Sequence, residues 1–162
     1  MGGISAGKPR LTTRMLSLAG FLLGVATPLS AQVPATAYRN TLSVLTAATI
    51  VEDDVGATFG LAYEHRLGKW YGVGAFADYL TTSDRNVVLA VSFHLHPTSA
   101  IRVQVAPGVD FRRVGADLVM LRMGVACEFP LGHRWALSPE VNIDFEGGYR
   151  IFVVGLSWGW RF

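Results

Sequence analysis

From residue 41 to the end, apolar and polar side chains alternate in eight segments of roughly ten residues. In the segment 86–96, Val87, Leu89, Val91, Phe93 and Leu95 occupy one phase, and Ala90, Ser92, His94 and His96 the other. The next sets Ile101, Val103, Val105, Pro107, Val109 and Phe111 against Arg102, Gln104, Ala106, Gly108, Asp110 and Arg112. Val119, Leu121, Met123, Val125, Cys127 and Phe129 then stand against Arg122, Gly124, Ala126 and Glu128. Trp135, Leu137, Pro139, Val141, Ile143 and Phe145 oppose Ser138, Glu140, Asn142 and Asp144. The last segment runs Phe152, Val154, Leu156, Trp158, Trp160, Phe162 against Gly155, Ser157, Gly159 and Arg161. Phe59, Leu61 and Tyr63, and then Tyr71, Val73, Ala75, Ala77 and Tyr79, repeat the pattern, whereas Thr41–Val51 alternates weakly. A period of two is the period of a β-strand.

Turn-forming residues separate the segments: Glu52-Asp53-Asp54, Leu67-Gly68-Lys69, Ser83-Asp84-Arg85, Pro97-Thr98-Ser99, Val114-Gly115, Pro130-Leu131-Gly132 and Gly147-Gly148. The last is a two-residue hairpin loop in which positive φ is easy for both residues. Eight strands joined by short turns make an up-and-down meander. Side-chain volume decides which face points outward. The apolar face carries about five large side chains per strand, roughly forty in all, and an eight-stranded barrel is only just wide enough inside for ordinary side chains. The apolar face therefore points out, the Gly-, Ala- and Ser-rich face lines the lumen, and only lipid tolerates such an exterior. Five alternate apolar residues on a strand tilted near 40° reach about 20 Å, close to the apolar band of a membrane barrel. The fold predicted is all-β, an eight-stranded antiparallel up-and-down transmembrane β-barrel over residues 41–162.

With both termini on the periplasmic side, the outward aromatics sort to the strand ends. Phe59, Tyr79, Phe111, Phe145 and Phe152 fall at the outer end, and Tyr63, Tyr71, Phe93, Phe129, Trp135, Trp160 and Phe162 at the periplasmic end. Phe76, Leu118 and Met120 break the pattern by facing inward.

Composition fits this picture. Of 162 residues, 51% are hydrophobic and only 16% charged, against about a quarter charged in an average soluble protein. No stretch is apolar for long enough to be a spanning helix, and a closed barrel is the other way to satisfy every backbone polar group inside hydrocarbon. Lys8, Arg10 and Arg14, the apolar run from Met15 to Leu29, and Ser30-Ala31 read as a secretory signal peptide over residues 1–31, cleaved before Gln32, with 32–40 as a short lead. Cys127 is the only cysteine, so neither an internal disulfide nor a lipid anchor at the cleavage site is expected. Removing the signal leaves 11 basic residues against 12 acidic ones, so the precursor's basic balance implies no nucleic-acid partner.

The mature chain resembles the small eight-stranded outer-membrane barrels of the OmpA and OmpX type. The resemblance rests most on the terminal LSWGWRF, in which Leu156, Trp158, Trp160 and Phe162 match the family's insertion signal, a terminal aromatic preceded by alternating apolar residues. It implies a Gram-negative outer-membrane location, lipopolysaccharide and other outer-membrane lipids as surroundings, the barrel-insertion machinery as an assembly partner, and a monomer. No periplasmic domain is expected after the barrel and the outer loops are expected to be short, so neither peptidoglycan attachment nor an adhesin role is implied.

The lumen holds the candidate chemistry. With a turn at 113–117, Arg102 lies opposite Glu128. With a turn centred on Leu131, Arg122 lies opposite Glu140 and Glu128 opposite Arg134. Ion pairs of this kind make either a polar plug or a narrow gated pore, and the plug is preferred because eight strands leave little free space. His94 and His96 share the inward face, with Glu64 or His133 as a third metal ligand, but the spacing is far looser than in known metal motifs, so no metal or cofactor is expected. Some barrels of this size modify lipid A. Ser92 with His94 is the nearest thing to a nucleophile and base, all four histidines fall at the periplasmic end, and no enzyme is expected. The reading is a structural or interaction barrel with a charge-plugged lumen, with a narrow passive channel as the alternative.

Overall fold

The computed structural model of the chain describes residues 38–52, 54–82 and 85–162. The expected signal peptide and residues 32–37 of the lead lie outside them. Nine strand segments follow in order: β1 (Asn40–Val51), β2 (Asp54–Arg66), β3 (Tyr71–Leu80), β4 (Val87–Leu95), β5 (Ile101–Phe111), β6 (Leu118–Cys127), β7 (Phe129–Leu131), β8 (Trp135–Glu146) and β9 (Tyr149–Arg161). Apart from β6 and β7, neighbours in sequence pair antiparallel, and β1 pairs with β9 from Thr41↔Arg161 to Val51↔Ile151, which closes the ring.

β6 and β7 are one barrel strand. Both pair with β8 in a single register, Ala126↔Glu140 and Phe129↔Leu137. The interruption stands opposite Pro139, which has no amide hydrogen to give to a ladder. The barrel therefore has eight strands, as the alternation predicts. A second gap separates Ala90↔Gly108 from Phe93↔Val105 between β4 and β5, and Pro107 occupies it for the same reason.

Burial alternates along every strand. Leu61, Val91, Phe93, Val125, Leu156 and Trp158 are each close to half exposed on the outside, and the polar row is buried within. The weakly alternating β1 directs Ser43, Leu45, Ala47 and Thr49 inward and Leu42 and Val44 outward. Its pattern is faint because Leu45 is apolar and inward while Thr46 is polar and outward. The exceptions on other strands have a common cause. Phe76, Leu80, Val88, Ala90, Ala106 and Met120 pack together inside the barrel, and Leu45, Ala47, Ile151 and Val153 form a second inward apolar cluster. Part of the lumen is thus filled by oil rather than by charge.

Glycine meets a geometric demand at the β8–β9 turn and beside β4. Gly147 and Gly148 sit at φ +53° and +90°, the double positive φ that joins β8 to β9 across Glu146↔Tyr149. Gly108 lies against β4, where an added Cβ would stand 2.5 Å from the Leu89 carbonyl oxygen and 2.6 Å from the Ala90 Cβ. Gly108→Ala is expected to destabilise the barrel by about 1–3 kcal/mol. Gly68→Ala, in open space, should stay within about 0.5 kcal/mol. Urea unfolding in detergent micelles checks both, and equal stabilities would show that the strands part freely at Gly108.

Candidate functional site: the barrel lumen

The inward phase of the strands brings charged side chains into three groups. The first is centred on Arg122, which projects from β6 and is buried. Its Nε donates to Asp144 Oδ1 at 2.6 Å and its Nη2 to Oδ2 at 2.7 Å, a two-pronged contact. Its Nη1 donates to Asp78 on β3, across the lumen. The guanidinium also lies over the Phe76 ring, 4.4 Å from the centroid. One cation therefore ties three strands and caps the apolar cluster.

The second group lies nearer the end of the barrel that carries the described termini. Arg102 on β5 reaches Glu140 at 3.2 Å, Glu64 at 3.5 Å and Glu128 at 3.8 Å. Glu128 also accepts from Arg66 at 3.0 Å and from Arg161 at 3.1 Å. Glu140 accepts from Ser157 at 2.7 Å and from the Asn142 amide at 3.0 Å, and Gln104 donates to Asn142 at 2.7 Å. At the opposite end Arg112 bridges Asp110 at 3.3 Å and Glu146 at 2.7 Å, and Asn86 donates to Asp110 at 2.8 Å. Between the first two groups lies a cavity of about 30 Å³ lined by Glu64, His94, Arg102, Asp78, Arg122 and Glu140 among others, space for a water or two.

These positions correct the expected pairings. Arg122 faces Asp144, not Glu140, because the β7–β8 turn is centred on His133 rather than Leu131. Two residues of turn offset move the cross-strand partner by four. For the same reason Glu128 does not face Arg134, which is exposed and takes part in none of the ion pairs among the described residues. Arg102 lies level with Ala126, the β5–β6 turn being centred on Val114, and it meets Glu128 diagonally. Asp78 was not singled out from the sequence. Its signal was present: it is the only charged residue in the inward phase of β3, after Gly72, Gly74 and Phe76.

Four histidines part company. His133 is exposed in a turn, and His65, half-buried, holds Asn40 Oδ1 at 2.8 Å. His94 and His96 are buried and stacked with ring centroids 6.4 Å apart, and Glu64, rather than His133, joins them. His96 Nδ1 accepts from Arg66 at 3.1 Å, so its Nε2–H donates to Glu64 Oε1 at 2.7 Å. His94 Nε2 contacts Ser92 Oγ at 2.7 Å, and its Nδ1 has no hydrogen-bond partner.

At the C-terminal end Leu156, Trp158 and Phe162 are exposed on the outside and Trp160 stacks on Phe162 at 4.8 Å. Trp135 lies 5.8 Å from Trp158. The outward aromatics Phe59, Tyr79 and Phe111 stand at the hairpin end opposite the termini, in line through Phe59↔Tyr79, Tyr79↔Val87 and Val87↔Phe111. A band of exposed apolar residues between two aromatic rows is a lipid-facing surface.

No protein-family model matches the sequence, and no curated protein is similar to it in sequence. Solved structures are similar in fold. The N-terminal β-barrel domain of Pseudomonas aeruginosa OprF matches with a TM-score of 0.59 at 9% identity, over 77% of this chain and 99% of that one. Neisserial surface protein A matches at 0.56 and 7%, over 77% and 97%. The Yersinia pestis outer-membrane protein Ail matches at 0.55 and 12%, over 77% and 99%. At these identities the likeness is one of fold, and it agrees with the strand count, the closure and the apolar exterior: the chain folds as a small eight-stranded transmembrane β-barrel of the kind found in outer membranes.

Proposed function

We propose that this protein is a monomeric structural or interaction barrel of the outer membrane whose lumen is closed by its own side chains. The carrying observation is the filling of that lumen. Arg122 with Asp78 and Asp144, and Arg102 with Glu64, Glu128 and Glu140, link strands on opposite sides of the barrel, and the apolar cluster occupies space beside them. A solute would have to break several charge-assisted hydrogen bonds inside a low-dielectric barrel. The surroundings that suit its surface are acyl chains along the apolar band and lipid head groups at the aromatic rows.

The Ser92–His94 contact does not change this reading. A serine nucleophile needs a base and also room for substrate, and the adjoining cavity of about 30 Å³ admits water alone. The experiment is conductance across a planar bilayer containing the purified mature protein. A closed lumen gives no steady single-channel steps. Reproducible steps that grow when Arg102→Ala shortens the central side chain would establish the narrow channel instead.

A further inference from the structure

We propose that Glu64, His94 and His96 form a binding site in the lumen for a divalent transition metal such as Zn²⁺. Each residue offers one ligand atom, and the three atoms lie within 4.8 Å of one another, all on buried residues. Glu64 stands on β2 and the histidines on or just after β4, two strands away, so the cluster is made by the barrel and not by a local motif. Zinc takes imidazole nitrogen and carboxylate oxygen at about 2.0–2.2 Å, which places neighbouring ligand atoms about 3.3–3.5 Å apart around a tetrahedral ion. Glu64 already lies 2.7 Å from His96 Nε2 and 3.6 Å from His94 Nδ1. Small side-chain rotations are enough to admit the ion.

His94 supplies an independent reason. If its Nε2–H donates to Ser92, the Nδ1 lone pair faces a carboxylate oxygen at 3.6 Å. If Ser92 donates instead, Nδ1–H is a buried donor without an acceptor in range. Either arrangement leaves one buried group unsatisfied, which costs free energy. A cation at that point satisfies the lone pair and the carboxylate together. Ser92 then takes the part of the outer partner that fixes a metal-bound imidazole in orientation.

The neighbouring guanidiniums are the obvious objection, since Arg66 and Arg102 both lie beside Glu64. Each has another carboxylate in hand: Arg66 holds Glu128 at 3.0 Å and Arg102 holds Glu140 at 3.2 Å. Glu64 can turn to a metal without leaving either arginine unpaired. The His96 proton then moves from Nε2 to Nδ1, which frees the Nε2 lone pair for the metal, and Arg66 turns wholly to Glu128. The cavity beside Glu64 and His94 leaves a place for water as the fourth ligand. Two imidazoles and one carboxylate select zinc, copper or nickel over magnesium or calcium.

The test uses mature protein folded in detergent, stripped with a chelator, and titrated with Zn²⁺ in a calorimeter and with Co²⁺ by visible absorption. We expect one ion per chain and a cobalt spectrum of four-coordinate type. His94→Ala and His96→Ala should abolish binding, while Ser92→Ala should weaken it by about tenfold. His133→Ala should leave it unchanged. Heat-modifiable migration on gels separates loss of the site from loss of the barrel, and the wild-type cobalt spectrum tests the proposal even if a variant does not fold. No binding by folded wild-type protein, a six-coordinate cobalt spectrum, binding unaffected in both His94→Ala and His96→Ala, or binding lost with His133→Ala would each overturn it.

Discussion

Replacing Arg122 by methionine is expected to remove about 3–5 kcal/mol of stability, the cost typical of breaking a buried pair by deleting one partner. The substitution keeps most of the length and removes the charge. Asp78 and Asp144 would then face each other inside the barrel without the cation they share, both nearly inaccessible to water. Domains of this size are commonly stable by 5–15 kcal/mol, so the loss is a large fraction of the total. Asp144→Asn added to Arg122→Met should cost much less than the sum of the single changes, because the stranded carboxylate is gone. Adding Asp78→Asn should recover more. Urea unfolding followed by tryptophan fluorescence measures the set. Additive effects would show that the three groups are solvated separately and do not form one unit.

The second large effect concerns the end of the chain and is a matter of assembly more than stability. Phe162 donates its backbone N–H to Asn40 O at 2.9 Å and accepts from Asn40 N at 3.0 Å, and its ring stacks on Trp160. Deleting it should cost about 1–3 kcal/mol of folded stability, which leaves most molecules folded in vitro. If the resemblance of Leu156, Trp158, Trp160 and Phe162 to the family's insertion signal holds, the effect in cells is far greater. The shortened chain should refold in detergent yet reach the outer membrane poorly. Measurement of surface assembly beside refolding yield separates the two roles. Normal assembly would reduce the terminal aromatics to lipid-facing packing.

The strands were legible because the two faces of this barrel meet different surroundings, and an alternating row such as Val87, Leu89, Val91, Phe93, Leu95 records that difference directly. Which residues face inward was legible too, Phe76 and Met120 included. What each inward residue touches was not. Register depends on where a turn reverses, and Pro130-Leu131-Gly132 looks like the reversal while the backbone turns at His133. That offset is invisible in polarity and replaces Glu140 by Asp144 as the partner of Arg122. Contacts across the lumen are harder still. Asp78 reaches Arg122 from a strand that does not pair with β6, so no neighbour-strand rule connects them. The same holds for the grouping of Glu64 with His94, since β2 and β4 are separated by β3. The faint phase of β1 has another origin, an inward Leu45 that packs on Ile151 and Val153.

The seam between β1 and β9 sets an order on events. Every other junction joins segments that follow one another in the chain, and each can form as a hairpin. The seam joins Asn40 to Phe162 and runs eleven paired residues from Thr41 to Val51. Its closure must draw together the two most distant parts of the fold, the kind of non-local contact that folds slowly. Until it forms, two strand edges carry unpaired N–H and C=O groups, and hydrocarbon punishes each of them. An intermediate inserted with the seam open is therefore expected to be costly in the bilayer. Insertion is expected to wait until the last strand is available to pair with the first.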